Sequence, residues 1–435
     1  MRKPYRIESI TLQDIGVFEH IHFDFPKIKR VGQDVNKAEI HIFTGPNGCG
    51  KSTLLYALAA IFDSVPFDNE LIKKRFRNTG LVDYRFDGLD LKYFGNEPLP
   101  PVPGTGSIAS FSSSTLLDSY RNSVYKKTNS PVSFAAFAYS GNRNSEGQFR
   151  LDSIKEVESS PFENALSFNS TVRIDVLAQW IANNRTKHAL SLSENELEEA
   201  EHYQHALKKI GEFIFDVSSL NVSFSLKRKP LEVVAIVDGQ EMRFEVLPEG
   251  LKSIISWVAD LSLRLEAITW KEKGDIFSQP VILFLDEVDI HLHPKWQRRI
   301  LPAIQKLLPE AQVFVSTHSP FVVGSVEDAW VYRLPDPQCK VCRDPSVPEV
   351  IAPVESGAGK SYQLILEEVF DVSEQFDVET EQLLKRFKEC RDFYLQNPQD
   401  DGELMMLADK IRERGDELEI IIEMELRQIT RRLKG

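Results

Sequence analysis

The 435 residues are 42% hydrophobic and 27% charged, which suits a folded globular chain and excludes a wholly disordered one; the length allows about three domains. Lysine and arginine number 52 against 65 aspartates and glutamates, a net charge of −13, which argues against a general nucleic-acid coat or an anionic-membrane binder but leaves room for local basic patches. Four cysteines cannot build a disulfide framework, no run reaches the roughly 18 apolar residues of a membrane span, and residues 1–10 carry charge without an apolar core, so a soluble cytoplasmic chain with no membrane partner is expected.

Residues 5–25 alternate apolar and polar around Asp14–Gly16, which predicts an antiparallel, half-buried hairpin. EIHIFT (39–44) predicts a short strand ending at Gly45, followed by a glycine-rich turn and an apolar helix through Leu54, Leu55, Leu58 and Ile61. Residues 63–130 contain PLPPVPGTGSIASFSSS (98–114) and read as an irregular, mobile insertion that splits the domain into 1–62 and 131–352. VSFAAFAY (132–139) predicts a buried strand, and 146–216 a helical subdomain with a glutamate-rich helical pattern from 193 onward. Residues 221–226 and 231–246 read as strands with a turn at Asp238–Gly239. An amphipathic helix follows over 249–265 through Leu251, Ile254, Ile255, Val258, Leu261 and Leu265. VILFL (281–285) and QVFVS (312–316) predict buried strands enclosing a helix near 294–308. Residues 355–435 read as helices only, and they supply −8 of the −13. Leu418, Ile422, Leu426, Ile429 and Leu433 span about two heptads, enough for a packed helical hairpin making oligomer or partner contacts.

Gly45-Pro46-Asn47-Gly48-Cys49-Gly50-Lys51-Ser52 satisfies the P-loop pattern in its required strand–loop–helix setting. Glycines let the backbone wrap a phosphate, so that N–H groups and the helix N-terminus face the anion. Lys51 would reach the β- and γ-phosphates of ATP, and Ser52 would ligate Mg²⁺. Gly357-Ala358-Gly359-Lys360-Ser361 is set aside, because the first glycine of the pattern would fall at Val354 and no apolar strand ends there. Adjacent carboxylates at the end of an apolar strand must be desolvated beside the core. That cost points to function at Asp286 and Glu287, the first ordering Mg²⁺ through water and the second polarising the attacking water. His318, just beyond the next strand, can sense the γ-phosphate and hold that water. His291 and His293 lack a third ligand nearby for zinc, and a loop packing on a second subunit fits them better. Cys339 and Cys342 form a lone CxxC, either two loop cysteines or half a zinc site. Basic clusters at Lys73, Lys74, Arg75 and Arg77, at Arg121, Lys126 and Lys127, and at Lys227, Arg228 and Lys229 are candidates for DNA contact or simply solvated faces.

The ordered set GPNGCGKS, YSGNR, LPEGLKS, LFLDEVDIHLHP and VSTHSP resembles the ABC-type ATPase superfamily, in its RecF-like and OLD-like branch, over residues 5–320. That resemblance implies an α/β head: a P-loop ATPase with a mixed or parallel sheet core and antiparallel N-terminal strands, a helical insertion and an all-helical tail. It places Gly45, Asn47, Gly48, Gly50, Lys51, Ser52 and Thr53 on the Walker A loop, Asp286 and Glu287 on Walker B and its catalytic glutamate, His318 on the switch histidine and Asp289 on the D-loop. Ser140–Arg143 falls where the family has its Q-loop, without the glutamine. LPEGL (247–251) falls on the signature, normally Leu-Ser-Gly-Gly-Gln; Pro248 replaces the serine, while Gly250 and the helix N-terminus remain to face another subunit's phosphate. Slow hydrolysis is therefore expected. One P-loop and one signature per chain imply a head-to-tail homodimer at minimum, with larger assemblies open. Within the superfamily, LPEGLKSIISWVADLSLRL and the helical tail resemble the PtuA ATPase subunits of Septu anti-phage systems, relatives of which accompany some retrons. That likeness implies a separate HNH nuclease subunit (PtuB-like) as partner. The competing expectation is a RecF-like repair ATPase that binds DNA directly. A self-contained OLD-type nuclease would need several parallel strands carrying carboxylates after Pro320, where only brief strand signals and then helices are expected.

Overall fold

The computed structural model describes residues 5–27, 37–63, 76–94, 115–126, 130–141, 149–337, 347–398 and 401–434. It divides into two compact units, Met1–Ile365 and Leu366–Gly435.

The first unit opens with the hairpin β1 (Ile7–Ile15) and β2 (Phe18–Asp24), turned where Gly16 takes a φ of 58°. β3 (Glu39–Thr44) leads into α1 (Lys51–Ala60), and β4 (Phe76–Phe86) and β5 (Leu89–Phe94) form a second hairpin. Next come α2 (Thr115–Lys126), β6 (Ala135–Ser140), α3 (Ile174–Ser193) and α4 (Leu197–Ser218). β7 (Val222–Arg228), β8 (Leu231–Val237) and β9 (Gln240–Met242) make a small antiparallel sheet ahead of α5 (Glu249–Ala267). The unit finishes with β10 (Val281–Asp286), α6 (Pro294–Leu307), β11 (Gln312–Ser316), α7 (Pro320–Val323), β12 (Ala329–Arg333), β13 (Glu349–Ile351) and β14 (Val354–Glu355).

The central sheet runs β14-β12-β3-β11-β10-β6, parallel except for β14 at its edge. β3, β6, β10 and β11 are buried at every residue, which explains the apolar runs of β6, β10 and β11 in place of alternation; β3 (EIHIFT) alternates even though buried, because its Glu39 and His41 pair with each other and Glu39 with Arg6. Because these strands are parallel, their carboxyl ends meet at one edge, where open α/β sheets place ligands. β11 lies between β3 and β10, so the loop after it falls between the P-loop and Asp286.

A second sheet, β13-β2-β1-β4-β5, is antiparallel apart from β13 against β2. An aromatic layer joins the two sheets: Phe25 meets Phe314 edge-on at 5.0 Å and Tyr332 at 5.6 Å, and Phe284 stacks on Phe314 at 5.5 Å. One buried ion cluster sits in this layer. Glu39 accepts from the Arg6 guanidinium and lies 2.8 Å from the His41 ring; burial opposes its charge, but His41 and Arg6 together hold its pKa at about 2.

Three expectations change. The segment 63–130 is not irregular throughout: β4 pairs with β1, and α2 buries Leu117 and Tyr120, whose hydroxyl accepts from Ala136 N at 3.0 Å. Pro, Gly and Ser in 98–114 dominated that window, and those residues lie outside the described ones. In 146–216, helix begins only at Ile174; the described residues before it form turns and bridges. The tail is helical only from Tyr362, because Glu355 pairs with Trp330 in the central sheet.

α5 is anchored by a buried ion pair. Arg264, 1% exposed, donates to Asp260 (2.6 Å), to the carbonyls of Pro161 and Glu163 (2.7 and 2.8 Å) and to that of Thr171 (2.7 Å), while Tyr139 also donates to Asp260 (2.9 Å). Arg264→Met strands three carbonyls and a carboxylate, so stability should fall by about 3–5 kcal/mol; a urea melt reads this as a lower midpoint. An unchanged midpoint would contradict the anchoring role.

In the second unit, α8 (Tyr362–Phe370) spans the boundary and leads to α9 (Val378–Gln396), α10 (Gly402–Arg412) and α11 (Asp416–Lys434). Asp377 caps α9 by accepting from Glu379 N and Thr380 N, both at 3.1 Å. Leu384, Phe387, Leu404, Leu407, Ile411, Leu418, Ile422 and Ile429 form its core. Of the predicted stripe, Leu426 is partly buried and Leu433 is exposed.

Candidate nucleotide site

The turn after β3 folds on its glycines. Gly45, Gly48 and Gly50 have φ of 146°, 80° and 100°, a region that side chains resist. A Cβ on Gly45 would sit 2.8 Å from Leu334 O, and one on Gly50 2.4 Å from the Phe18 ring. Lys51, buried at the start of α1, turns back into this loop and donates to Gly45 O (2.9 Å) and Pro46 O (3.0 Å). Asn47 and Gly48 lie at the loop's surface, and Thr53 is buried in the first turn. A buried ammonium beside a glycine turn at a helix N-terminus is chemistry suited to a polyphosphate.

Asp286 ends β10 and accepts from Ser52 (3.1 Å) and Ser316 (2.6 Å) on the same oxygen, Oδ1. Its backbone carbonyl accepts from Gly141 N at 2.6 Å. Glu287 has a φ of 50°, rare for a residue with a side chain, and its N–H donates to Ser316 Oγ at 2.7 Å. Ser316 thus fixes both members of the acidic pair. Gly141 is packed so closely that a Cβ would meet Glu287 O at 2.3 Å. Of the Ser140–Arg143 segment, Ser140 ends β6 and Gly141 abuts Glu287; Asn142 and Arg143 lie outside the described residues.

The Glu287 carboxyl titrates above its usual range through burial, with the charges of Asp286 and Asp289 adding and Lys51 opposing. His318 titrates below its usual range through burial and the Lys51 charge, against the pull of Asp289 and Asp286, which favours the neutral ring at pH 7. Lys51, Asp286 and Asp289 therefore all act electrostatically on both Glu287 and His318. Asp289 accepts from Thr317 Oγ1 at 2.7 Å.

Gly250 lies in the first turn of α5, after Pro248 at the cap, and packs on its own chain: a Cβ there would meet His291 O at 2.6 Å. His293 caps α6 by accepting from Lys295 N at 3.2 Å. Of the basic clusters, Arg121 turns inward to Ile61 O (3.0 Å) and Lys227 pairs with Glu241. Lys73, Lys74, Arg75, Lys127, Cys339 and Cys342 lie outside the described residues, as do the side chains of Arg77 and Lys126. Sequence reading did not single out Ser316, Thr317 or Gln297. The string VSTHSP held two of them, but only contacts between separate loops reveal what they do.

Two family models match, "AAA domain" over residues 9–91 and "AAA domain, putative AbiEii toxin, Type IV TA system" over residues 111–324. Between them the two models take in the glycine loop with Lys51, the acidic pair Asp286–Glu287 and His318. The chain is 26% identical to the Septu protein PtuA of Bacillus thuringiensis over 325 residues, 69% of its own length and 74% of that protein's. It is 32% identical to the "Retron Vc95 probable ATPase" of Vibrio cholerae over 120 residues, 27% of this chain and 22% of the retron protein, so it spans about a fifth of that relative. The corresponding "Retron Ec83 probable ATPase" of Escherichia coli is 29% identical over 116 residues, 27% of this chain and 21% of that protein. Among solved structures it overlaps the SMC head domain of Thermotoga maritima, with a TM-score of 0.39 and 14% identity over 80% of this chain and 99% of that one. Among the described residues no helix is long and apolar enough to cross a membrane.

Proposed function

We propose that the chain is the ATP-binding and ATP-hydrolysing regulatory subunit of an anti-phage defence complex. The carrying observation is the meeting of Ser52 and Ser316 on one oxygen of Asp286, beside Lys51 and Glu287, at the carboxyl edge of the sheet. The likeness to PtuA over three quarters of that protein supports the defence setting.

In this reading Gly45, Asn47, Gly48, Gly50 and Thr53 belong to the loop that grips the phosphates, and Lys51 exchanges its loop carbonyls for phosphate oxygens. Ser52 and Asp286 present the hard oxygen donors that Mg²⁺ prefers, and the ion neutralises phosphate charge when bound. Glu287 orients the attacking water and His318 holds it from the opposite loop. Gly250 and the N-terminus of α5 serve a second copy in a head-to-tail dimer, with Asp289 at the interface. Without a serine at Pro248, turnover is slow. The controlled partner is an HNH nuclease subunit, encoded nearby and absent from this chain, and the complex works in the cytoplasm. The alternative is a RecF-like ATPase that binds DNA directly; of its candidate residues Arg121 and Lys227 are engaged within the chain, while Arg228 and Lys229 are exposed.

Phosphate release by the purified chain with Mg·ATP tests the enzyme, and co-purification with the products of neighbouring genes tests the partner. Recovery of a nuclease supports the reading; robust DNA binding by the chain alone favours the alternative.

A further inference from the structure

One side chain that no motif marks joins the two loops of the site. Gln297 lies in the first turns of α6. Its Nε2 donates to Asp289 O (3.2 Å) and Leu292 O (2.9 Å), and its Oε1 accepts from Ser319 Oγ (2.8 Å). Thr317 Oγ1 donates to Asp289 Oδ1 (2.7 Å) and accepts from Ser319 N (3.0 Å). The contacts close a ring, Asp289–Thr317–Ser319–Gln297. The same Ser319 hydroxyl also caps α7, accepting from Phe321 N at 3.1 Å and Val322 N at 3.4 Å.

The ring encloses His318 in the sequence. Thr317 and Ser319 are buried and tied down, while His318 between them is exposed, within the electrostatic reach of Lys51, Asp289 and Asp286. On the other side, Asp289 and Leu292 belong to the loop that begins at Glu287. We infer that Gln297 is a positioning residue, setting His318 relative to Glu287 by cross-linking the loops that carry them. The task needs one group that donates to carbonyls and accepts from a hydroxyl, which an amide does and a carboxylate cannot. It also gives Asp289 a role within its own chain. This inference rests on the ATPase reading for its kinetic consequence but not for its structural one.

The test uses the full chain. In Gln297→Leu without nucleotide, hydrogen exchange at residues 317–323 should rise by about tenfold or more, because the loop loses its tie. Turnover should fall by about tenfold or more with KM changed by less than about threefold, the signature of lost alignment. Gln297→Glu should not rescue it. In a His318→Ala background the Gln297 change should cost nothing further, since both act through one side chain. Parent-like exchange, or losses that simply add, would overturn the inference. If the parent chain itself hydrolyses no ATP, the ATPase reading fails, and exchange alone still decides whether Gln297 holds the loop. Should Gln297→Leu not fold, Thr317→Val opens the same ring and is read by the same measurements.

Discussion

Lys51→Ala abolishes ATP binding, with the dissociation constant rising at least about a hundredfold. The ammonium is buried and donates to two loop carbonyls, so it sits at the focus of the glycine turn. A charge-assisted hydrogen bond contributes about 1.5–3 kcal/mol, and two such bonds to phosphate oxygens account for the loss. Calorimetry with Mg·ATP measures it. The variant should stay folded, because the backbone N–H bonds of α1 do not involve the side chain; Leu54 N, for one, bonds to Gly50 O at 2.9 Å. Binding within about threefold of the parent would remove Lys51 from the site, since a loss that small is under 1 kcal/mol.

The second large effect is at Glu287. Glu287→Gln keeps nucleotide bound while turnover falls by about 10²–10⁴, the range supplied by a positioned acid–base group. The substitution also removes a carboxylate that burial, Asp286 and Asp289 already push toward protonation, so the fold should not weaken. With hydrolysis blocked, ATP should hold two copies together, and gel filtration with Mg·ATP should show a dimer that persists. If Glu287→Gln hydrolyses ATP at the parent rate, the glutamate has a different role. If it is slow yet stays monomeric, the head-to-tail pairing is the part that fails.

Much of the site was legible because its signals are local. Glycines at Gly45, Gly48 and Gly50 answer to backbone geometry, and all three have the positive φ that the P-loop pattern implies. β10 is fully buried, and its apolar run ends at Asp286, so the carboxylate stood out in the sequence. The aromatic layer was not legible, since Phe25 meets Phe314 and Tyr332 from hundreds of residues away, and neither was the cluster in which Arg6 reaches 33 residues along the chain to Glu39. The same holds for Ser316, whose hydroxyl reaches 30 residues back to Asp286, and for Gln297, which spans two loops. Periodicity reports which face of an element is buried, not which polar groups meet beyond its ends. β4 and β5 were obscured for a different reason: β4 pairs with the distant β1 and β5 with β4, while the Pro- and Gly-rich stretch beside them dominated the local pattern.

Every role proposed for this chain depends on one event, the binding of a magnesium nucleotide at the loop between β3 and α1. Isothermal titration of the parent chain with ATP, with and without Mg²⁺, measures it most directly. The account predicts saturable heat with magnesium, much weaker binding without it, and none in Lys51→Ala; no heat from the parent, or equal heat from the variant, would contradict it.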